Sequence, residues 1–172
     1  MSTLPETLGV DAIGAAVPLP VGPRVVVAPR PIRVVIADGD ALVRSGLRAL
    51  LATAADVVVV GEAASAAEAV ALATARGADV VLVDVAIPES LVGGGIAATA
   101  RALAREAPSA HVLALSTHVE SELLPRVLRE GARGCLGKDS ASRELVPAVR
   151  AVAAGGVYAT RPTRAIGGWE AK

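Results

Sequence analysis

The stretch Arg33-Val34-Val35-Ile36-Ala37-Asp38-Gly39-Asp40-Ala41-Leu42-Val43-Arg44-Ser45-Gly46-Leu47-Arg48-Ala49-Leu50-Leu51-Ala52 decides the fold. A near-continuous apolar run, Arg33–Ala37, ends in an acidic turn, and a segment of helical period follows. Strands covered on both faces read as unbroken apolar runs, whereas a helix packed on a sheet repeats its apolar residues at i, i+3 and i+4. Leu42, Val43, Gly46, Leu47, Leu50 and Leu51 follow that spacing, and the same pattern turns Arg44 and Arg48 away from the sheet.

Working outward, the unit recurs. Further apolar runs stand at Val57–Gly61, Val80–Val83, His111–Leu115 and Gly134–Gly137, and candidate helices at Ala41–Ala52, Ala64–Arg76, Gly95–Glu106, Ser121–Glu130 and Ser142–Ala153. Gly131 and Gly155-Gly156 stand where helices stop. Five βα units in about 120 residues are too few to close an eight-stranded barrel. They predict an open α/β fold, a doubly wound five-stranded parallel sheet of (βα)5 type with right-handed crossovers. The flavodoxin-like order 2-1-3-4-5, one of the two common orders of doubly wound sheets, is the natural expectation. Residues 1–31 are rich in Pro, Gly and Ala and are expected to be a mostly disordered leader; 32–160 form the domain and 161–172 a tail.

Composition narrows the function. The formal net charge is zero, from 17 basic and 17 acidic residues, so no global field favours nucleic acid or an anionic membrane. A single cysteine, Cys135, precludes an intrachain disulfide and a cysteine-based zinc cluster. With no Phe, one Tyr and one Trp, a stacking platform for single-stranded nucleic acid is not available. No apolar stretch reaches the ~18 residues a membrane span needs, nor is there a signal peptide, so a cytoplasmic location is expected.

In an open α/β sheet ligands bind beyond the carboxyl ends of the strands, where the strand order reverses. After the first run comes Asp38-Gly39-Asp40, after the third Asp84, after the fourth Ser116-Thr117, and after the fifth Lys138. Carboxylates gathered this closely repel one another unless a cation stands between them; Lys138 can supply one charge and a hard ion such as Mg²⁺ another. Acids after strands also serve as helix N-caps. Asp40, directly before a helix, remains open to both readings. Asp84 is followed by Val85-Ala86-Ile87-Pro88, which does not start a helix, and so points to chemistry. Of the 17 basic residues only Lys138 and Lys172 are lysines, which singles out Lys138, because a compact ammonium on a flexible stem does what a guanidinium cannot. Cys135 reads as a small buried residue, and His111 and His118 lack any ligand set around them.

The segments Val34–Asp38, Val81–Pro88, Leu113–Ser116 and Gly131–Asp139 together resemble the response-regulator receiver family of bacterial two-component systems, over about Arg33 to Thr160. Leu42–Leu51 and Val146–Tyr158 resemble the branch whose receivers precede a LuxR-type helix-turn-helix. The resemblance implies a signalling protein and not an enzyme, with Asp84 accepting a phosphoryl group from a sensor histidine kinase or phosphotransfer protein. It also implies Mg²⁺ held by Asp38, Asp84 and the Ala86 carbonyl, with Asp40 as an alternative donor. Ser116 would be the switch hydroxyl, Lys138 the partner of the phosphate, and the surface of the fourth helix, fifth strand and fifth helix the site of a homodimer or partner protein. Three positions depart from the pattern. Gly39 replaces an acid that is normally a metal ligand, so Mg²⁺ is expected to bind weakly; Cys135 replaces an aromatic switch residue; and the loop Glu89–Gly95 is longer than usual. A receiver-fold interaction module that works without phosphorylation is one alternative, and the receiver part of a truncated LuxR-type transcriptional regulator is another. A nucleotide- or flavin-binding enzyme is disfavoured, because Asp38-Gly39-Asp40 would repel phosphate where a Gly-rich loop should cradle it. The dozen residues after the receiver-like segment are too few for a helix-turn-helix, so no direct DNA binding is expected.

Overall fold

A computed structural model describes residues 30–87, 95–120 and 122–160. Most of the expected leader, the loop Glu89–Gly94 and the tail lie outside the described residues. The elements run β1 Ile32–Ala37, α1 Ala41–Leu51, β2 Val57–Ala63, α2 Ala66–Arg76, β3 Val80–Asp84, α3 Gly95–Glu106, β4 His111–Ser116, α4 Leu123–Arg129, β5 Gly134–Gly137, α5 Ala141–Ala153 and β6 Tyr158–Ala159. The sheet order is β2-β1-β3-β4-β5-β6, with every pairing parallel. The expected 2-1-3-4-5 order is therefore present, with a sixth strand that sequence periodicity did not reveal.

Alternation along the strands sorts the core onto two faces. Val34, Ile36, Leu82, Leu113, Leu115 and Leu136 pack with Leu47 and Leu51 of α1 and Leu145, Val149 and Val152 of α5. On the other face Val35, Val81, Val83, Val112 and Ala114 meet α2, α3 and α4. Both faces of the central strands are dry, so after Arg33 and His111 at their amino ends these strands carry no polar side chain until the chain nears their carboxyl ends.

Both ends of the expected domain are tied to the sheet. The chain is already tied down at Arg30, whose guanidinium forks onto Asp79 at 2.7 and 2.9 Å, and Ile32 already pairs with Val57. Asp79 is held below the usual carboxylate range: burial pushes the other way, but the hydrogen bonds from Arg30 and the Arg33 backbone outweigh it. At the other end, Gly155 turns the chain at φ 80° and Tyr158–Ala159 runs along β5. Gly134 makes this possible, because a Cβ there would sit 2.2 Å from the Tyr158 carbonyl oxygen. The Tyr158 and Thr160 hydroxyls both donate to Glu144 of α5, at 3.1 and 3.0 Å. Strand β6 lies on the outer edge of β5, so the expected partner face of α4, β5 and α5 includes β6.

Candidate functional site

Three of the expected residues meet at the carboxyl ends of β1, β3 and β5. Lys138 Nζ donates to Asp38 Oδ2 at 2.6 Å and to Asp84 Oδ2 at 2.9 Å. The Asp38, Asp84 and Lys138 side chains are 2%, 13% and 16% exposed, so the ion pairs are partly sheltered from solvent and sit at the floor of a crevice. Burial alone would pull the ammonium down, but its hydrogen bonds to Asp38 and Asp84 and their charges hold Lys138 above its ordinary value. It remains a cation.

Each carboxylate is also fixed by its own turn. Asp38 Oδ1 accepts the Asp40 backbone N–H at 2.9 Å, and Asp84 Oδ1 accepts that of Ala86 at 3.2 Å. The crevice is stitched across its back by Val85 N–H to the Leu115 carbonyl, 2.9 Å, and by Lys138 N–H to the Ser116 carbonyl, 2.8 Å.

The remaining expected residues fare differently. Asp40 is exposed and its carboxylate caps α1, with Oδ1 accepting Leu42 N–H at 2.8 Å. Ser116 is buried and folds its hydroxyl onto its own loop, donating to the His118 carbonyl at 2.8 Å and accepting His118 N–H at 3.2 Å. The hydroxyl itself makes no bond to Asp84 or to the Lys138 ammonium. With Val85, His118, Glu120, Glu122, Leu123 and Arg126 it lines a cleft of about 230 Å³ beside Asp84. The Cys135 thiol is buried and pushed up to about 11 by that burial, which fits an inert core residue. His111 is pulled below its ordinary value by burial and by neighbouring Arg133, and stands at the opposite end of the sheet.

Arg44 was missed. Instead of pointing away, its guanidinium returns to the site, where Nη1 donates to the Asp38 carbonyl at 2.8 Å. Helical periodicity places a Cβ and not the end of a long side chain, so sequence carries no signal for this contact.

The donors available to a metal are the Asp38 and Asp84 carboxylates and the Ala86 carbonyl, to which no hydrogen bond is made among the described residues. All are hard oxygens. Mg²⁺ is commonly held by one or two carboxylates with water and phosphate oxygens completing the octahedron, so this set fits it. Among the described residues no group of three His, Cys, Asp or Glu side chains is close enough to share an ion, and Lys138 already offsets one of the two carboxylate charges.

The family model described as the response regulator receiver domain matches residues 34–150, more than half of the chain. This chain belongs to the response-regulator receiver family. The receiver is 38% identical over 127 residues to response regulator UvrY of Escherichia coli, covering 74% of this chain and 56% of that protein. It is 39% identical over 127 residues to response regulator GacA of Pseudomonas viridiflava, covering 74% and 58%. It therefore spans little more than half the length of these curated relatives. Among solved structures, the signal receiver domain of the putative response regulator NarL from Mycobacterium tuberculosis superposes with a TM-score of 0.67 at 36% identity, covering 74% of this chain and 99% of that one. A LuxR-family two-component response regulator from Aurantimonas gives 0.67 at 31% identity, covering 77% and 91%. The receiver fold is thus shared with the LuxR-type branch, and no helix among the described residues is long and apolar enough to cross a membrane.

Proposed function

We propose that this receiver is a phosphorylation-dependent signalling switch in which Asp84 accepts a phosphoryl group from the phosphohistidine of a sensor kinase or phosphotransfer protein. The observation that carries this reading is the single ammonium of Lys138 shared between Asp38 and Asp84 at 2.6 and 2.9 Å. An Asp84 oxygen attacks phosphorus in line; the new P–O bond gives an acyl phosphate as the P–N bond breaks and its electron pair returns to the imidazole. Lys138 is placed to follow the charge from the carboxylate to the phosphoryl oxygens. Mg²⁺ bound at Asp38, Asp84 and the Ala86 carbonyl would neutralise the remaining oxygens. Ser116 is one rotamer change from releasing the His118 carbonyl, and a phosphoryl oxygen at Asp84 offers its hydroxyl a stronger, charged acceptor. That turn draws the β4–α4 loop inward and biases the face of α4, β5 and α5, now bordered by β6, towards a second copy or a partner protein. Control of transcription, as in the relatives named transcriptional regulators, would follow from that face acting on a separate DNA-reading domain.

Gly39 and Cys135 favour a second reading, an interaction module of the same fold that needs no phosphate. Calorimetry with beryllofluoride, a phosphoryl mimic, separates the two. Mg²⁺-dependent binding that is abolished in Asp84→Asn is expected; partner binding with no Mg²⁺-dependent beryllofluoride signal would establish the second.

A further inference from the structure

We propose that Arg44 is a positioning residue for the acidic pocket, bracing the Asp38-Gly39-Asp40 turn through the Asp38 carbonyl; the inference rests on the reading of Asp38, Asp84 and Lys138 as the working site. Gly39 puts the residue with the most backbone freedom, and no side chain to hold, in the middle of the turn that aims Asp38. What fixes this turn must come from its flanks. On one side the Asp40 N–H reaches Asp38 Oδ1 at 2.9 Å, and on the other Arg44 Nη1 reaches the Asp38 carbonyl at 2.8 Å.

An ion pair with Glu62 at 3.7 Å gives Arg44 a neighbour on β2 but no hydrogen bond. Arg44 is 18% exposed, and its Nε is buried with no hydrogen-bond partner, 3.7 Å from Glu62 Oε2 and so beyond hydrogen-bonding reach. Glu62 is already met by Arg48, from an exposed position, at 3.1 Å. A buried donor without a partner is unfavourable. Among the described residues, the one hydrogen bond that the side chain makes goes to the Asp38 carbonyl. Arg44 thus links the first helix to the backbone of the residue whose carboxylate holds Lys138.

Charge and bracing make opposite forecasts, which renders the inference testable. Arg44 is a cation near a cation site, so if only its charge mattered, Arg44→Ala would bind Mg²⁺ more tightly. If it braces the turn, Arg44→Ala frees Asp38 and Mg²⁺ binding weakens, by roughly 3- to 10-fold for the loss of one hydrogen bond. The experiment is titration of the full chain with Mg²⁺ by calorimetry, together with amide hydrogen exchange of Asp40 in the metal-free protein. Weaker Mg²⁺ binding and faster Asp40 exchange are expected in Arg44→Ala, neither in Arg48→Ala, and an intermediate effect in Arg44→Lys, which keeps the charge but not the planar fork. Tighter or unchanged Mg²⁺ affinity with unchanged Asp40 exchange overturns the inference. Should Arg44→Ala fail to fold, Arg44→Lys decides alone: wild-type Mg²⁺ affinity and exchange would refute the brace. Neither readout requires phosphorylation, so a wild-type chain that is never labelled at Asp84 counts against the proposed function and leaves this test standing.

Discussion

Replacing Gly39 by Asp restores an acid beside Asp38 and tests what its loss has done to the site. Gly39 is exposed and is not among the glycines held at positive φ, so aspartate fits the backbone. The pocket now holds two carboxylates against one ammonium, and the variant adds a second uncompensated negative charge. Two unit charges about 6 Å apart at an effective dielectric of about 20 interact by ~3 kcal/mol, which solvent at an exposed position reduces to about 1 kcal/mol. Without metal, the variant should therefore melt about 3–5 °C below wild type. With metal the sign reverses. One further charge-assisted contact, worth roughly 1.4 kcal/mol, tightens Mg²⁺ binding about 10-fold, and saturating Mg²⁺ should recover the lost stability by mass action. Calorimetric titration and thermal melts with and without Mg²⁺ measure both effects. If wild type binds Mg²⁺ as tightly as Gly39→Asp, another group supplies the missing ligand, and the reasoning from Gly39 fails.

Lys138→Met leaves Asp38 and Asp84 facing each other without a cation, and urea melts at neutral pH should show a loss of about 2–4 kcal/mol, below the full penalty of a buried pair because Asp84 is partly solvated. Because Lys138 is held above its ordinary 10.5, its stabilisation is complete below that pH and fades as pH climbs through the folded-state value; the alkaline decline of wild type should be flatter in Lys138→Met, and an identical decline would contradict the ion-pair geometry. Gly134→Ala should expel β6 and free the Tyr158 hydroxyl, which burial and then Glu144 hold above its ordinary 10.0; since Tyr158 is the only tyrosine, ultraviolet titration reads it directly, and an unchanged midpoint would show that β6 stays in place. A chain beginning at Arg30 should unfold as cooperatively as the full chain, whereas one beginning at Arg33 loses the Arg30 fork and the pairing of Ile32, lowering its denaturation midpoint. Asp79 is held below its ordinary value, so its contribution is present above about pH 4 and lost as pH falls through the folded-state value. The gap between the two chains should close in acid, and a gap independent of pH would place the effect elsewhere.

The parts of this receiver that sequence reveals are those set by periodicity and by breaks in it. Continuous apolar strands ending in Asp38, Asp84 and Lys138 marked the crevice, because covered strands admit no polar side chain before their ends. The scarcity of lysine isolated Lys138 from fifteen arginines. Strand β6 was invisible because Tyr158–Ala159 is two residues long and has no period to detect; its cause lies in Gly134, a residue that reads as an ordinary glycine. Asp40 offered two equally good local readings, and the cap is visible only in the geometry of its bond to Leu42 N–H. The direction of the Ser116 hydroxyl and the return of Arg44 to Asp38 depend on side-chain rotamers and have no counterpart in residue spacing.

The central claim is that Asp84 is the phosphoacceptor. Incubation of the chain with acetyl phosphate and Mg²⁺, followed by intact-mass measurement, should show the gain of a single phosphoryl group that is absent without Mg²⁺, absent in Asp84→Asn and retained in Asp40→Asn, whose side-chain oxygen can still cap α1. Undiminished labelling of Asp84→Asn, or no labelling of wild type at Mg²⁺ concentrations that saturate wild type, would contradict it.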